Sequence, residues 1–346
     1  MPEDGTSLSY GGSGVDREVA ARAKSRIAQL VESTRTADVV SRAGGFGGLF
    51  RVPVGYRKPV MVSSADGVGT KLKVAMMAGR HDTVGVDLVN HCVNDILVEG
   101  ARPLFFLDYI GMGRLEHDIV EALVEGLATG CRDNECVLLG GETAEMPDFY
   151  EPGEYDLAGF IVGMVDEDAR PGAHRVQAGN VLIAFESSGF HTNGYSLLRR
   201  LFFDRLEMSV EDRYPDSDES IGDVLLRPHR SYAPMLLPLI EHGRVRALAH
   251  ITGGGVPENL VRVLPEDVRA RVDSASWSVP PEFAAVQRLG RVERDEMFLT
   301  FNMGVGMIVV VAQEDADSVL GDLRSGGVSA WIIGALEAGA REVVIT

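Results

Sequence analysis

The segment Ser63-Ser-Ala-Asp66-Gly67-Val-Gly69-Thr70-Lys71-Leu-Lys73 places an acid, two bases and two glycines directly after an apolar run. Glycines let backbone N–H groups approach a phosphate closely, and a helix beginning there adds the positive end of its dipole. Lys71 would neutralise phosphate charge, Asp66 would hold a metal, and Gly67, Gly69 and Thr70 would line the cradle. The chain has only four lysines, at 24, 58, 71 and 73, and two fall here. A turn capped by Asp66 satisfies the same residues without a ligand. The GxxxxGK[ST] order of a Walker A loop is absent.

Four other places carry chemistry. In Asn90-His91-Cys92-Val93-Asn94-Asp95, helical spacing gathers Asp87, Asn90, His91, Asn94 and Asp95 on one face, opposite the valines. Such a face would hold hydrated Mg²⁺ through Asp95. It would equally be a plain solvated face, and His91 by itself reads as structural. Val137-Leu-Leu runs into Gly140-Gly-Glu142-Thr143, which puts a carboxylate and a hydroxyl at a strand end, either as a ligand site or as a tight turn. In the second half, Ser187-Ser-Gly-Phe-His191-Thr-Asn193-Gly194 suits an anion or an acid/base role, with Asn193 as a simple helix cap the alternative. Ala249-His250-Ile-Thr252-Gly253-Gly254-Gly255 offers a phosphate nest or a flexible connector. Carboxylates in one half and His/Asn in the other suggest a cleft, with a metal-nucleotide on one wall and an anionic substrate on the other.

The elements that must position these groups follow from periodicity. Short strands are expected at Leu49–Val54, Pro59–Val62, Leu104–Ile110, Val137–Leu139 and Gly159–Val165, with helices at 17–32, 86–100 and 117–130. The pattern lapses between Glu167 and Gly179, so the domains are expected to be 1–170 and 171–346. The second half restarts with a strand at Val181–Phe185 and a helix after Asn193. Helices near 229–242, 255–263 and 314–325 and strands near 305–312 and 330–336 follow.

With 346 residues and 45% apolar content, the chain has material for two cores. A net charge of −18 argues against a nucleic-acid surface but not against small phosphorylated ligands. No apolar run is long enough to span a bilayer, so no membrane association is expected. The N-terminus lacks a signal-peptide pattern, and Cys92, Cys131 and Cys136 show no zinc or disulfide spacing. These features point to the cytoplasm.

The motifs in this order resemble the phosphoribosylformylglycinamidine cyclo-ligase family, whose members are also called aminoimidazole ribonucleotide synthetases. The likeness runs from Ser7-Leu-Ser-Tyr10 nearly to the C-terminus. It takes in Gly14-Val-Asp16, Gly44-Gly-Phe-Gly47, Asp66-Gly-Val-Gly-Thr-Lys71, Cys92-Val-Asn-Asp95 and Pro103-Leu-Phe-Phe-Leu-Asp108. It continues through Gly140–Pro147, His191, Asn193-Gly-Tyr-Ser-Leu197, Thr252-Gly-Gly-Gly255, Phe301-Asn302 and Gly304-Val-Gly-Met307. Three departures stand out: Gly12-Ser13, Ser64-Ala65, and His91 where the family tends to have a hydrophobic residue.

The resemblance implies a two-domain α/β (α+β) enzyme with a small mixed N-terminal sheet that dimerises, a C-terminal α/β domain and a cleft between them. It implies a homodimer, with ATP in the N-terminal domain, and ring closure of formylglycinamidine ribonucleotide to aminoimidazole ribonucleotide with release of ADP and phosphate. Phosphorylating the amide oxygen turns a poor leaving group into a good one, so that the neighbouring amidine nitrogen can close the ring. Such transfer is positioning and charge neutralisation. Asp66, Asp95 and Glu142 are the metal candidates. Asn94 and Thr143 join Asp66–Lys71 as nucleotide candidates. His191, Asn193 and Gly253–Gly255 are the substrate candidates, and Asp95, His191 and Lys71 the catalytic ones.

Relatives such as the preceding amidine-forming synthetase, selenophosphate synthetase and thiamine-phosphate kinase share this architecture. The unbroken Asp66–Lys71 and Gly140–Pro147 motifs favour the cyclo-ligase. No cysteine precedes Cys92, as a selenophosphate synthetase would require. A sugar phosphatase would want a Trp-Asp element, but Trp277 and Trp331 are followed by Ser278 and Ile332. A non-catalytic nucleotide sensor is the remaining class.

Overall fold

Period-two alternation in the first half builds a four-stranded sheet of β1 (Pro59–Gly67), β2 (Arg102–Met112), β3 (Val137–Glu145) and β4 (Tyr155–Asp166). The computed structural model describes residues 26–41 and 45–346. The strands lie in the order β1-β4-β2-β3, with β2 and β3 parallel and the other neighbours antiparallel. Helix α1 covers residues 26–32, and α2 (Lys71–Ala78), α3 (Asp82–Leu97) and α4 (His117–Asp133) follow. Glycine fixes how closely α3 and α4 approach. A Cβ at Gly85 would lie 2.4 Å from the Leu123 carbonyl, and one at Gly126 would lie 1.9 Å from that of Asp82. No side chain fits at either position.

The pleat gives the sheet two unlike faces. Val62, Ser64 and Asp66 share with Ile161, Gly159 and Phe106 the side that packs on α3, whose Leu88 lies over Gly159. Met61, Ala65, Phe160 and Tyr109 take the other side, where Met61 is 62% and Phe160 40% exposed.

The second sheet holds β5 (Val181–Glu186), β6 (Ala247–His250), β7 (Val268–Val272), β8 (Val305–Val311), β9 (Ala330–Ala338) and β10 (Val343–Ile345), in the order β10-β7-β9-β5-β8-β6. Helices α5 (Tyr195–Arg199), α6 (Ile221–Leu225), α7 (Ala233–Glu241), α8 (Gly255–Leu260), α9 (Pro281–Gly290), α10 (Arg294–Thr300) and α11 (Ala316–Ser325) surround it. Every residue of β8 is buried because both faces of this sheet are covered. Met307, Val309 and Val311 join a core that continues into α3 and α4, while Ile308 and Val310 pack with Leu182 and Leu260 on the far side.

The structure departs from the sequence reading at several points. The strand expected at Leu49–Val54 reduces to one bridge between Val39 and Phe50, since Val52 and Val54 are exposed and Pro53 has no N–H to donate. Gly140–Thr143 lies inside β3, not in a turn at its end, because β2 pairs with it through Met112 and Glu145. The helix expected from 229 begins only at Ala233, because side chains of α3 hold residues 229–232 instead. Strands β6, β7 and β10, of three to five residues, were too short to show a period. The motifs at Ser7–Tyr10 and Gly14–Asp16, most of the helix at 17–32 and Gly44 lie outside the described residues. Among the described residues, no helix is long and apolar enough to cross a membrane.

Candidate active site

Helix α3 carries its polar residues at i, i+3, i+4, i+7 and i+8, and this face is buried against the second half of the chain. Asp87 accepts from the His229 N–H at 2.7 Å, and the Asn90 amide donates to the His229 carbonyl at 2.7 Å. Asn94 donates to the Arg230 carbonyl at 2.8 Å and accepts from the Tyr232 N–H at 2.9 Å. The face is thus a dock for residues 229–232, which satisfies backbone groups that burial would otherwise leave unpaired. Solvation of this face, the plainer sequence reading, is overturned.

Two site candidates change role as a result. Lys71, fully buried, lies 2.8 Å from Asp87 and donates to the carbonyls of His191 at 3.1 Å and Arg227 at 2.8 Å. Burial pulls the Lys71 pKa down and pushes that of Asp87 up, while their mutual attraction works against both shifts. Three acceptors for three N–H bonds keep the ammonium charged, and none is left for a phosphate. Asn94 likewise spends its amide on the dock. Both are corrected from ligand-binding to positioning residues.

Further along α3 the polar side chains reach β1 and the second sheet. His91 Nε2 lies 2.8 Å from Asp66 Oδ2 and 3.7 Å from Asp95 Oδ2. Asp95 Oδ1 faces His250 Nδ1 at 2.9 Å, and Ser64 Oγ donates to Asp95 Oδ2 at 3.3 Å. The pairing follows from two periods: i, i+2 puts Ser64 and Asp66 on the helix side of β1, and i, i+4 stacks His91 over Asp95. The His91 bond and the Gly67 N–H, 2.7 Å away, hold the Asp66 carboxyl below its usual range. His91 is raised, with Asp66 and Asp95 outweighing its burial.

Glu142 does not join this cluster. It lies in the row Gly67–Ala158–Tyr109–Glu142, three strand spacings or about 14 Å from β1, on the face turned away from α3. Thr143 sits on the same edge strand.

Across the joint stands His191, buried, at φ 57°. Its ring stacks on His229 with centroids 4.0 Å apart. Its Nε2 accepts from the Ser188 N–H at 3.2 Å, which leaves the proton on Nδ1, a buried donor without a partner among the described residues. Burial, then the neighbouring His250 and Lys71, hold its pKa well below the ordinary value, so the ring is neutral. Thr70 Oγ1 meets Ser196 Oγ at 3.3 Å, and Gly69 lies in open space at φ 70°. The Asn193 amide oxygen approaches Gly253. Gly254 and Gly255 take φ 89° and 57° to enter α8, and Asn259 ties the turn by donating to Gly255 O at 2.8 Å. The structure therefore brings together Asp66, Asp95, His191, Asn193 and Gly253–Gly255 where the two sheets meet. Sequence reading missed Ser64, Thr192, His229 and His250; for His250, its place beside Thr252 in the glycine motif was the one available signal. A separate groove of about 720 Å³, lined by Arg80, His81, Asp82, Asp118 and Glu125 among others, holds none of the site residues.

Residues 51–165 match the family described as AIR synthase related protein, N-terminal domain, and residues 177–346 match its C-terminal domain. The chain is 50% identical to phosphoribosylformylglycinamidine cyclo-ligase of Myxococcus xanthus, covering 96% of this chain and 97% of that one. It is 48% identical to the same-named protein of Trichlorobacter lovleyi, over 94% and 93% of the two chains. The chain belongs to the phosphoribosylformylglycinamidine cyclo-ligase family. The chain also shares its fold with thiamine-monophosphate kinase from Stenotrophomonas maltophilia, at a TM-score of 0.68 and 18% identity over 96% of both chains. A hydrogenase maturation protein HypE crystallised in complex with ATP matches at 0.67 and 17%, over 94% and 90%.

Proposed function

We infer that the chain uses ATP to close the imidazole ring of formylglycinamidine ribonucleotide, giving aminoimidazole ribonucleotide, ADP and phosphate in purine biosynthesis. The observation that carries this reading is the convergence of Asp66, Asp95 and His191 at the joint of the two sheets, in a chain of this family. Mg²⁺ bound with ATP supplies neutralisation of phosphate charge when present. Asp66 and Asp95 fit it as hard oxygen donors beside the Ser64 hydroxyl, and Asp66 is 43% exposed and so open to a nucleotide. Gly67, Gly69 and Thr70 border that opening. The unpaired Nδ1–H of His191 is a donor for the substrate amide oxygen or its phosphate, and filling it recovers the roughly 1–3 kcal/mol that an unpaired buried donor costs. Asn193 and Gly253–Gly255 offer the second anion cradle. Residues up to about 170 form the nucleotide-binding and dimerising unit in this reading, and 171–346 the substrate unit.

ADP release that depends on formylglycinamidine ribonucleotide tests the reaction. Release without it, or none with it, removes the assignment. Asp95→Asn is expected to fold and to lose about a hundredfold in kcat/KM, with partial recovery at raised Mg²⁺. Near-normal kinetics at low Mg²⁺ would take Asp95 out of the site.

The open sheet face with Met61, Tyr109 and Phe160 supports a homodimer formed through this sheet. Light scattering is expected to give twice the chain mass at micromolar concentration. A fully active monomer would refute the assembly.

A further inference from the structure

We propose that Asn302 is the positioning residue of His191: it locks the 187–191 loop so that the Ser188 N–H fixes the tautomer of the ring and keeps the Nδ1 proton free for the substrate. This rests on the reading of His191 as a hydrogen-bond donor to the substrate. Asn302 belongs to the Phe301-Asn302 motif and is buried where two strained turns meet. One is the loop that follows β5, with Gly189 at φ 132° and His191 at φ 57°. The other leads into β8, with Met303 at φ 52° and Gly304 at φ 92°. Left-handed backbone at a non-glycine residue is costly and persists only where the surroundings hold it.

One side chain ties these turns together. Asn302 Oδ1 accepts from the Gly304 N–H at 2.8 Å, closing its own turn, and Asn302 Nδ2 donates to the Gly189 carbonyl at 2.8 Å. A backbone donor on one side and a backbone acceptor on the other leave a single orientation for the amide. The Ser187 hydroxyl lies 3.0 Å from Asn302 Oδ1 and 3.1 Å from the Gly189 carbonyl, and its one proton serves either. The Ser187 N–H donates to the Gly304 carbonyl at 3.0 Å. The chain is therefore held on both sides of Ser188, whose own hydroxyl donates to the Pro228 carbonyl at 2.6 Å.

What this fixes is the Ser188 N–H, 3.2 Å from His191 Nε2. A ring nitrogen that accepts cannot carry the proton, so the neutral ring holds it on Nδ1. The far end of the loop is tied by Lys71, which donates to the His191 carbonyl at 3.1 Å. Gly306 leaves room for the ring, since a Cβ there would lie 2.7 Å from His191 Cε1 and 1.9 Å from the Tyr232 hydroxyl. The ring thus has one place and one tautomer, and Asn302 sets both without touching it. A leucine at 302 would fill much the same space but leave the Gly304 N–H and the Gly189 carbonyl without this partner.

The test compares Asn302→Leu with the wild type in the full chain, after a folding check by circular dichroism. Nitrogen-15 NMR of the histidine rings reads the tautomer, with the His191 signals identified by their loss in His191→Gln. The wild type is expected to show a bare Nε2 and a protonated Nδ1, and the variant a mixture of tautomers. The variant is expected to lose on the order of a hundredfold in kcat with an unchanged KM for ATP, as a displaced contact to the substrate does. A proton on Nε2 of wild-type His191 overturns the proposal. So does a folded variant whose tautomer or kcat matches the wild type. If Asn302→Leu does not fold, Ser187→Ala, which removes only the hydroxyl between the two turns, is read in the same way, and an unchanged tautomer there overturns the proposal. A wild type that releases no ADP with formylglycinamidine ribonucleotide refutes the reaction, while the ring's tautomer still decides the role of Asn302.

Discussion

Lys71→Met is expected to destabilise the protein by about 3–5 kcal/mol, measured as a lower urea midpoint at unchanged slope. The substitution keeps the stem volume but removes the one cation that Asp87 faces in a fully buried setting. Asp87 would keep only the His229 N–H, and the carbonyls of His191 and Arg227 would lose their donor. A lone buried charge is the costly outcome, not the loss of the pair as such. Lys71→Met combined with Asp87→Leu should therefore recover part of the loss, with a coupling energy of opposite sign to the single effects. A loss under about 1 kcal/mol, together with weakened ATP binding, would return Lys71 to the phosphate site that its sequence context suggested.

Acidification is expected to unfold the protein well above the carboxylate range. Burial holds His191 and His229 far below their ordinary pKa, with neighbouring histidines and Lys71 adding to the effect, and burial also lowers His250, against Asp95 and Asp66, which favour its charged form. For a histidine depressed in the folded state, the unfolded chain takes up the proton first. The stability is whole above the unfolded value near 6.5 and is lost as pH falls through it. His91 acts in the opposite sense: its raised pKa, favoured by Asp66 and Asp95, gains stability over the same interval. Three depressed groups against one raised give a net loss of stability as pH falls from 7.5 to 5.5. Denaturant melts of the chelator-treated protein read this directly. A flat profile over that interval would mean that the cluster is hydrated, or that its charges are compensated.

By itself the sequence determined the family, the two α/β units and most of the long elements, because those rest on local period and on motifs that survive without contacts. Asp66, Asp95 and His191 were legible for the same reason: each lies beside glycines or on a helix whose apolar face is unambiguous. Pairing was not legible. Whether Asp87, Asn90 and Asn94 meet water or a partner depends on residues 229–232, more than 130 positions away, and the period of a polar face is the same in both cases. Only the tertiary structure turned Lys71 from a phosphate ligand into the cation of a buried joint. Only sheet register sent Glu142 to the far face, since one residue of pleat reverses a side chain. Four histidines at 91, 191, 229 and 250 show no spacing that a local reading could detect. They became one cluster because α3, β6 and two loops meet at a single point, and burial there gives their protons and lone pairs a significance that composition could not.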